Sequence, residues 1–131
     1  MNLSEGKDAI GVKWIYKSKF DADGNVVKHK ARLVAKGFSQ QPGIDYNETF
    51  SPVARLDTVR TMLAMGGHHK WKVYQRDVES TFLNGILQEE VYVKQPSGYQ
   101  ILGHEHKFYR LKKALYGLKQ APRAWYKEPW F

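Results

Sequence analysis

Val12, Trp14 and Tyr16 alternate with Lys13, Ile15 and Lys17, a partly period-two pattern that predicts a strand beginning near Ala9. Asp21-Ala-Asp-Gly24-Asn25 is a turn signal, with Gly24 able to take positive φ, and the β-branched Val26, Val27 and Val34 carry a second strand to about Lys36. Residues 10–37 therefore read as a hairpin with basic side chains along it. Ser39 to Pro52 is loop-like, carrying Gln40-Gln-Pro-Gly43 and ending in Ser51-Pro52. Val53, Leu56, Val59, Met62, Leu63 and Met65 then fall near helical spacing. This predicts a helix over 57–66, with Asp57 or Thr58 as N-cap and Gly66-Gly67 as the stop.

Trp71 to Val78 reads as a strand, Glu79 to Leu83 as a helical turn closed by Asn84-Gly85, Glu90 to Lys94 as a strand ended by Pro96-Ser-Gly98, and Phe108 to Leu111 as a short strand. Lys112 to Lys119 is a loop with Gly117 inside it, and Pro122 suits the first turn of a final helix through Ala124, Trp125 and Tyr126. A hairpin, a loop, a helix, then short strands and a helix is an α+β order and not a regular βαβ repeat.

Composition narrows the chemistry. In 131 residues the chain has room for one domain and not comfortably for two, and no cysteine is present, which excludes disulfides, zinc–thiolate sites and thiol nucleophiles. The N-terminal thirteen residues hold no apolar run, so no secretion signal is expected, and no stretch approaches the roughly 20 apolar residues of a membrane span. The expected location is intracellular. Net charge is +8, and it is uneven: Lys7 to Lys36 holds eight Lys or Arg against three Asp, and Lys107 to Lys127 holds seven and no acid. Two basic blocks around a more neutral middle fit a polyanionic partner, or a solvated surface that binds nothing specific. His68-His69 and His104-Glu-His106 lack the spacing of a zinc motif and read as solvated loop histidines.

Five segments in order carry a resemblance. They are Ala9-Ile-Gly-Val-Lys-Trp-Ile-Tyr-Lys17, Lys30-Ala-Arg-Leu-Val-Ala-Lys-Gly-Phe38, Asp45-Tyr-Asn-Glu-Thr-Phe-Ser-Pro-Val53, Gln75-Arg-Asp-Val-Glu-Ser-Thr-Phe-Leu-Asn-Gly85 and Arg110-Leu-Lys-Lys-Ala-Leu-Tyr-Gly-Leu-Lys-Gln-Ala-Pro122. Together they resemble the copia-type reverse transcriptases of long-terminal-repeat retrotransposons, from about residue 7 to residue 126. The resemblance implies a partial right-hand polymerase fold: a fingers hairpin over about 7–50, an incomplete palm over about 51–126, and a divergent tail at 127–131. It implies template-directed deoxynucleotidyl transfer in the intact protein. The partners would be an RNA or DNA primer-template, deoxynucleoside triphosphates and the remainder of a polyprotein, with no membrane. The cofactor would be Mg2+, two ions held by three aspartates.

The same resemblance assigns residues. Asp77 matches the first metal-binding, catalytic aspartate. Phe82 matches the aromatic beneath the sugar, where a bulky ring excludes a ribose 2′-hydroxyl. Lys30 and Arg32 match the basic strand that meets the triphosphate. Gly117 and Lys119, with Pro122, match the segment beside nucleotide and template. Read without the resemblance, Asp77 is an ordinary strand-end residue, Phe82 a core phenylalanine, and Lys30 and Arg32 solvated side chains on a hairpin face.

Departures from the family pattern set a second expectation. The Tyr-Val-Asp-Asp motif that supplies the other two aspartates does not occur, and the last aspartate is Asp77. One carboxylate cannot hold two metal ions about 3.5–4 Å apart. Arg76 stands where the family has an apolar residue, and Glu79, Ser80 and Thr81 replace Asn-Asn-Ala. Gly66-Gly67 interrupts an alanine-rich helix, and Pro129 would stop the final one. These are the marks of a truncated or decayed copy. The chain is expected not to polymerise alone or to hold Mg2+ stably. The alternatives are a non-catalytic basic nucleic-acid-binding module and a transposon remnant without function.

Overall fold

The computed structural model describes residues 1–127. It is a mixed α/β arrangement of two small sheets and two helices. The predicted hairpin is its longest feature. Strands β2 (Val12–Phe20) and β3 (Val26–Ala35) pair antiparallel, with Val12 opposite Ala35, Lys17 opposite Lys30 and a bulge at Lys19/Phe20. Its turn is held by Asp21, whose Oδ1 accepts the N–H groups of Asp23 (3.0 Å) and Asn25 (2.8 Å), while Gly24 takes φ +84°. The second sheet has the order β1-β4-β5: β1 (Ala9–Ile10) runs parallel to β4 (Tyr92–Val93), which pairs antiparallel with β5 (Tyr109–Arg110). Short 3-10 helices occupy Gly37–Ser39 and Thr81–Asn84.

The core lies where the base of the hairpin meets this sheet. Ile10, Ala35, Val91, Val93, Ala114, Leu118 and Ala121 are buried together, with Val12, Phe82, Leu87, Leu111 and Leu115 packed around them. Helix α2 (Ala121–Tyr126) starts with Pro122 in its first turn, as its sequence requires, and packs on the 3-10 turn at 81–84.

Helix α1 spans Leu56–His69, longer than predicted. Its N-cap is Arg55, with no side-chain cap bond, so Asp57 and Thr58 fall inside the first turn. Gly66-Gly67 does not end it. The chain leaves at Lys70, in the left-handed region (φ 54°), with the Trp71 N–H donating to the Gly66 carbonyl at 2.8 Å. Gly66 instead lies beneath the returning chain: a Cβ there would sit 3.0 Å from Val73 Cγ2. His68 and His69 accordingly belong to the last helical turn and not to a loop; they are exposed.

The predicted strand at Trp71–Val78 is irregular and exposed throughout. Its β-branched and aromatic residues favour extended chain, but a strand needs a neighbour to satisfy its ladder, and no described strand pairs with it. The expected stop at Pro129 and nearly all of the 127–131 tail lie outside the described residues.

Candidate functional site

The site forms where β3 crosses the loop at 112–120. The Ala35 N–H donates to the Tyr116 carbonyl at 2.7 Å, and Val34 pairs with Tyr116 in a parallel bridge. This approach depends on glycine. Gly117 takes φ +93°, and a Cβ on it would strike the Ala35 carbonyl oxygen and come within 2.8 Å of Val34 Cγ1; a Cβ on Gly37 would strike the Gly117 carbonyl oxygen.

A buried polar network fastens the same contact. Gln40 Nε2 donates to Gln120 Oε1 (3.0 Å), Gln120 Nε2 donates to the Asp45 carbonyl (3.0 Å), and the Lys119 N–H donates to Gln40 Oε1 (2.8 Å). Asp45 Oδ2 accepts the Gln41 N–H at 2.7 Å. Gln120 is only 1% exposed, so its amide has left water and these bonds replace its hydration.

Above this joint stands a row of side chains. Arg32, two positions from Val34 and on the same face of β3, places its guanidinium 5.2 Å from the Tyr116 ring centroid. Tyr116 meets Phe82 edge-on at 5.7 Å (65° between planes), and Phe82 meets Trp125 at 6.5 Å (75°). Phe82 is half-buried against the core, so its ring is fixed from below. Arg32 remains exposed, and its planar fork of donors suits phosphate oxygens.

Of the residues expected to form a site, Arg32, Phe82 and Gly117 converge here, and Lys119 joins through its backbone. Lys30 lies one same-face step further along β3, opposite Lys17. Asp77 does not sit at a strand end; it lies exposed in the irregular segment after α1, and its carboxylate makes no ion pair among the described residues. No group of three or more His, Asp or Glu side chains able to hold a metal is gathered among the described residues. The residues present therefore do not fit a two-metal, three-carboxylate centre; Asp77 offers one carboxylate. Tyr116, Gln40 and Gln120 were not singled out in the sequence, although Tyr116 and Gln120 stand inside one of the five quoted segments.

Comparison with known proteins decides the family. Residues 1–128 match the family model described as reverse transcriptase (RNA-dependent DNA polymerase). This chain belongs to that family. It is 47% identical over 126 residues to the retrovirus-related Pol polyprotein from transposon TNT 1-94 of Nicotiana tabacum, covering 96% of this chain and 10% of the relative. It is 49% identical over 119 residues to the Pol polyprotein from transposon RE2 of Arabidopsis thaliana, covering 91% and 8%. The transposon Ty1-ER2 Gag-Pol polyprotein of Saccharomyces cerevisiae is 34% identical over 125 residues, covering 92% and 6%. The chain thus corresponds to a segment of a copia-type reverse transcriptase domain and spans a tenth or less of the length of these relatives. No solved structure matches it. No described helix is long and apolar enough to cross a membrane.

Proposed function

We propose that residues 7–50 are the fingers and residues 51–126 the first part of the palm of a right-hand polymerase, whose intact form adds deoxynucleotides to a primer on an RNA or DNA template. The observation that carries this reading is the row Arg32–Tyr116–Phe82 above Gly117. It sets a phosphate-binding cation beside an aromatic floor, at the joint between hairpin and palm. Lys30 and Arg32 would receive the triphosphate, Phe82 would lie beneath the sugar, and Gly117 and Lys119 would line the path of nucleotide and template. Asp77 is the carboxylate this segment would contribute to a magnesium site completed elsewhere in the polyprotein.

That no group of three or more His, Asp or Glu side chains is gathered among the described residues favours a second reading for the 131-residue chain by itself: it binds nucleic acid through its basic surface without catalysis. Phosphate-dominated binding weakens steeply with salt. The chain alone should bind a primer-template in a salt-sensitive way and show no primer extension in magnesium. Steady extension by the chain alone overturns that reading. The fuller assignment is tested by replacing the matching segment of the tobacco relative with residues 1–126. Extension that disappears on Asp77→Asn supports the role given to Asp77, and extension indifferent to it removes that role.

A further inference from the structure

A cavity of about 460 Å³ lies among the N-terminal segment, β1, the 39–45 loop and the ends of β4 and β5. That volume is in the range of small-ligand pockets. None of Arg32, Phe82, Tyr116, Gly117 or Lys119 lines it, so it is separate from the site above. Leu3, Ile10 and Phe108 give it apolar walls, and Asp8, Asp45 and Lys94 give it charge. The walls are fastened. The Phe108 N–H donates to the Met1 carbonyl at 2.8 Å, the Ser4 hydroxyl donates to Glu90 Oε1 at 2.9 Å, and Ile10 belongs to the core.

Asp45 is the unusual member. It is only 6% exposed. One carboxylate oxygen accepts the Gln41 N–H at 2.7 Å. The other has no partner among the described residues, yet it is not closed off from open space. A carboxylate this deep is ordinarily paired with a cation or bonded at both oxygens. The chain has 21 Lys and Arg against 13 Asp and Glu, but no described cation forms an ion pair with Asp45. Lys7 comes near and donates instead to the carbonyl of the preceding residue, Ile44.

We infer that this cavity binds a small organic cation, a primary ammonium on an apolar body. Asp45 accepts the ammonium N–H, Asp8 adds negative charge, and Leu3, Ile10 and Phe108 cover the body. The lining sets the sign of the ligand, because two carboxylates stand against the single ammonium of Lys94. It also sets the class. A hard dication asks for about six oxygen ligands, and no group of three or more His, Asp or Glu side chains is gathered among the described residues. An ammonium is served by a single well-placed carboxylate, and a charge-assisted bond of that kind is stronger than a neutral one. The apolar walls add the burial of carbon, which a bare inorganic cation would not use.

The test titrates the full chain with hexylamine, hexanol and hexanoate, one apolar body carrying a positive, a neutral or a negative head, followed by heteronuclear NMR. Hexylamine should bind tightest and should shift the amide signals of Leu3, Ile10 and Phe108. Asp45→Asn keeps an oxygen for the Gln41 N–H and should weaken hexylamine binding about 10- to 100-fold while leaving hexanol unchanged. Asp8→Asn, at an exposed position, should weaken it less, and Lys94→Gln should tighten it. The proposal is overturned if the parent binds hexylamine no better than hexanol, if the shifts fall elsewhere, or if folded Asp45→Asn binds hexylamine as the parent does. Should Asp45→Asn not fold, the two exposed variants decide: opposite changes in hexylamine affinity uphold the site, and no change in either overturns it.

Discussion

Two parts of this chain carry comparable apolar patterning and meet opposite fates. Around the foot of the hairpin, Ile10, Ala35, Val91, Val93, Ala114, Leu118 and Ala121 are sealed from water by segments distant in sequence. In helix α1 only Gly66 is buried, while Leu56, Val59, Met62, Leu63 and Met65 are all exposed, as are Trp71, Val73, Tyr74 and Val78 just beyond. Patterning announces which face of an element is apolar. Whether anything covers that face depends on the rest of the chain, and stability follows the covering.

The sharpest way to break the packed half is at its closest backbone approach. Gly117→Val adds a β-branched side chain at φ +93° and drives its Cβ into the Ala35 carbonyl. Left-handed strain and overpacking together should cost about 4–5 kcal/mol, enough to abolish a cooperative thermal transition. A variant that melts as the parent does would show that the hairpin and the 112–120 loop are not held in this contact.

Gln120→Leu cuts the polar fastening while keeping much of the volume. It leaves the Gln40 amide and the Asp45 carbonyl buried without their partner, for a loss of about 2 kcal/mol in a urea titration. Because the hairpin is docked through this network, the same variant should loosen Arg32 from Tyr116, visible as faster hydrogen exchange at the Ala35 amide.

In the bare half the expectation reverses. The double variant Met62→Ser, Leu63→Ser should change unfolding free energy by no more than about 0.5 kcal/mol, because both side chains are already in water. What should change is association: gel filtration at rising concentration should show less self-association than the parent, since an apolar patch of this kind is adhesive. A loss of stability as large as that of Gln120→Leu would mean that α1 is covered in solution.

The legible parts of the molecule are those with a local cause. The hairpin followed from alternation and from Asp21 and Gly24 in its turn, and the turn at 81–84 and the start of α2 at Pro122 came from short-range signals of the same sort. The mistaken strand at 71–78 shows the reverse: Trp71, Val73, Tyr74 and Val78 favour extended chain, but pairing is non-local. Gly66-Gly67 misled because glycine lowers helix propensity by only about 1 kcal/mol per residue, and Gly66 gives Val73 room to pack closely on the helix. Arg32, Phe82 and Gly117 entered through motif resemblance alone, and the structure shows their proximity, not their roles. Tyr116 and Gln120 were not singled out, because a cation–π contact and a buried amide pair are defined by partners at least 75 residues away in the chain.

The smallest effect sharpens the comparison from the edge of the packed half. Glu90 Oε1 accepts the Tyr92 hydroxyl at 2.6 Å and the Ser4 hydroxyl at 2.9 Å, and the Arg110 guanidinium stands 3.9 Å away. Those hydroxyl bonds, Tyr92 first and Ser4 next, then the positive charges of Arg110 and Lys7, hold its carboxyl below the ordinary value of 4.5. A carboxylate whose folded pKa is depressed contributes stability that is present above the unfolded value and is lost as pH falls through the folded one. The contribution of Glu90 should therefore be constant near neutrality and fade below about pH 4.5. Glu90→Gln removes the titration, so the acid limb of its melting-temperature profile should be flatter than the parent's, with the difference confined to that range. An unchanged acid limb would mean that neither the Tyr92 nor the Ser4 hydroxyl donates to the carboxylate in solution.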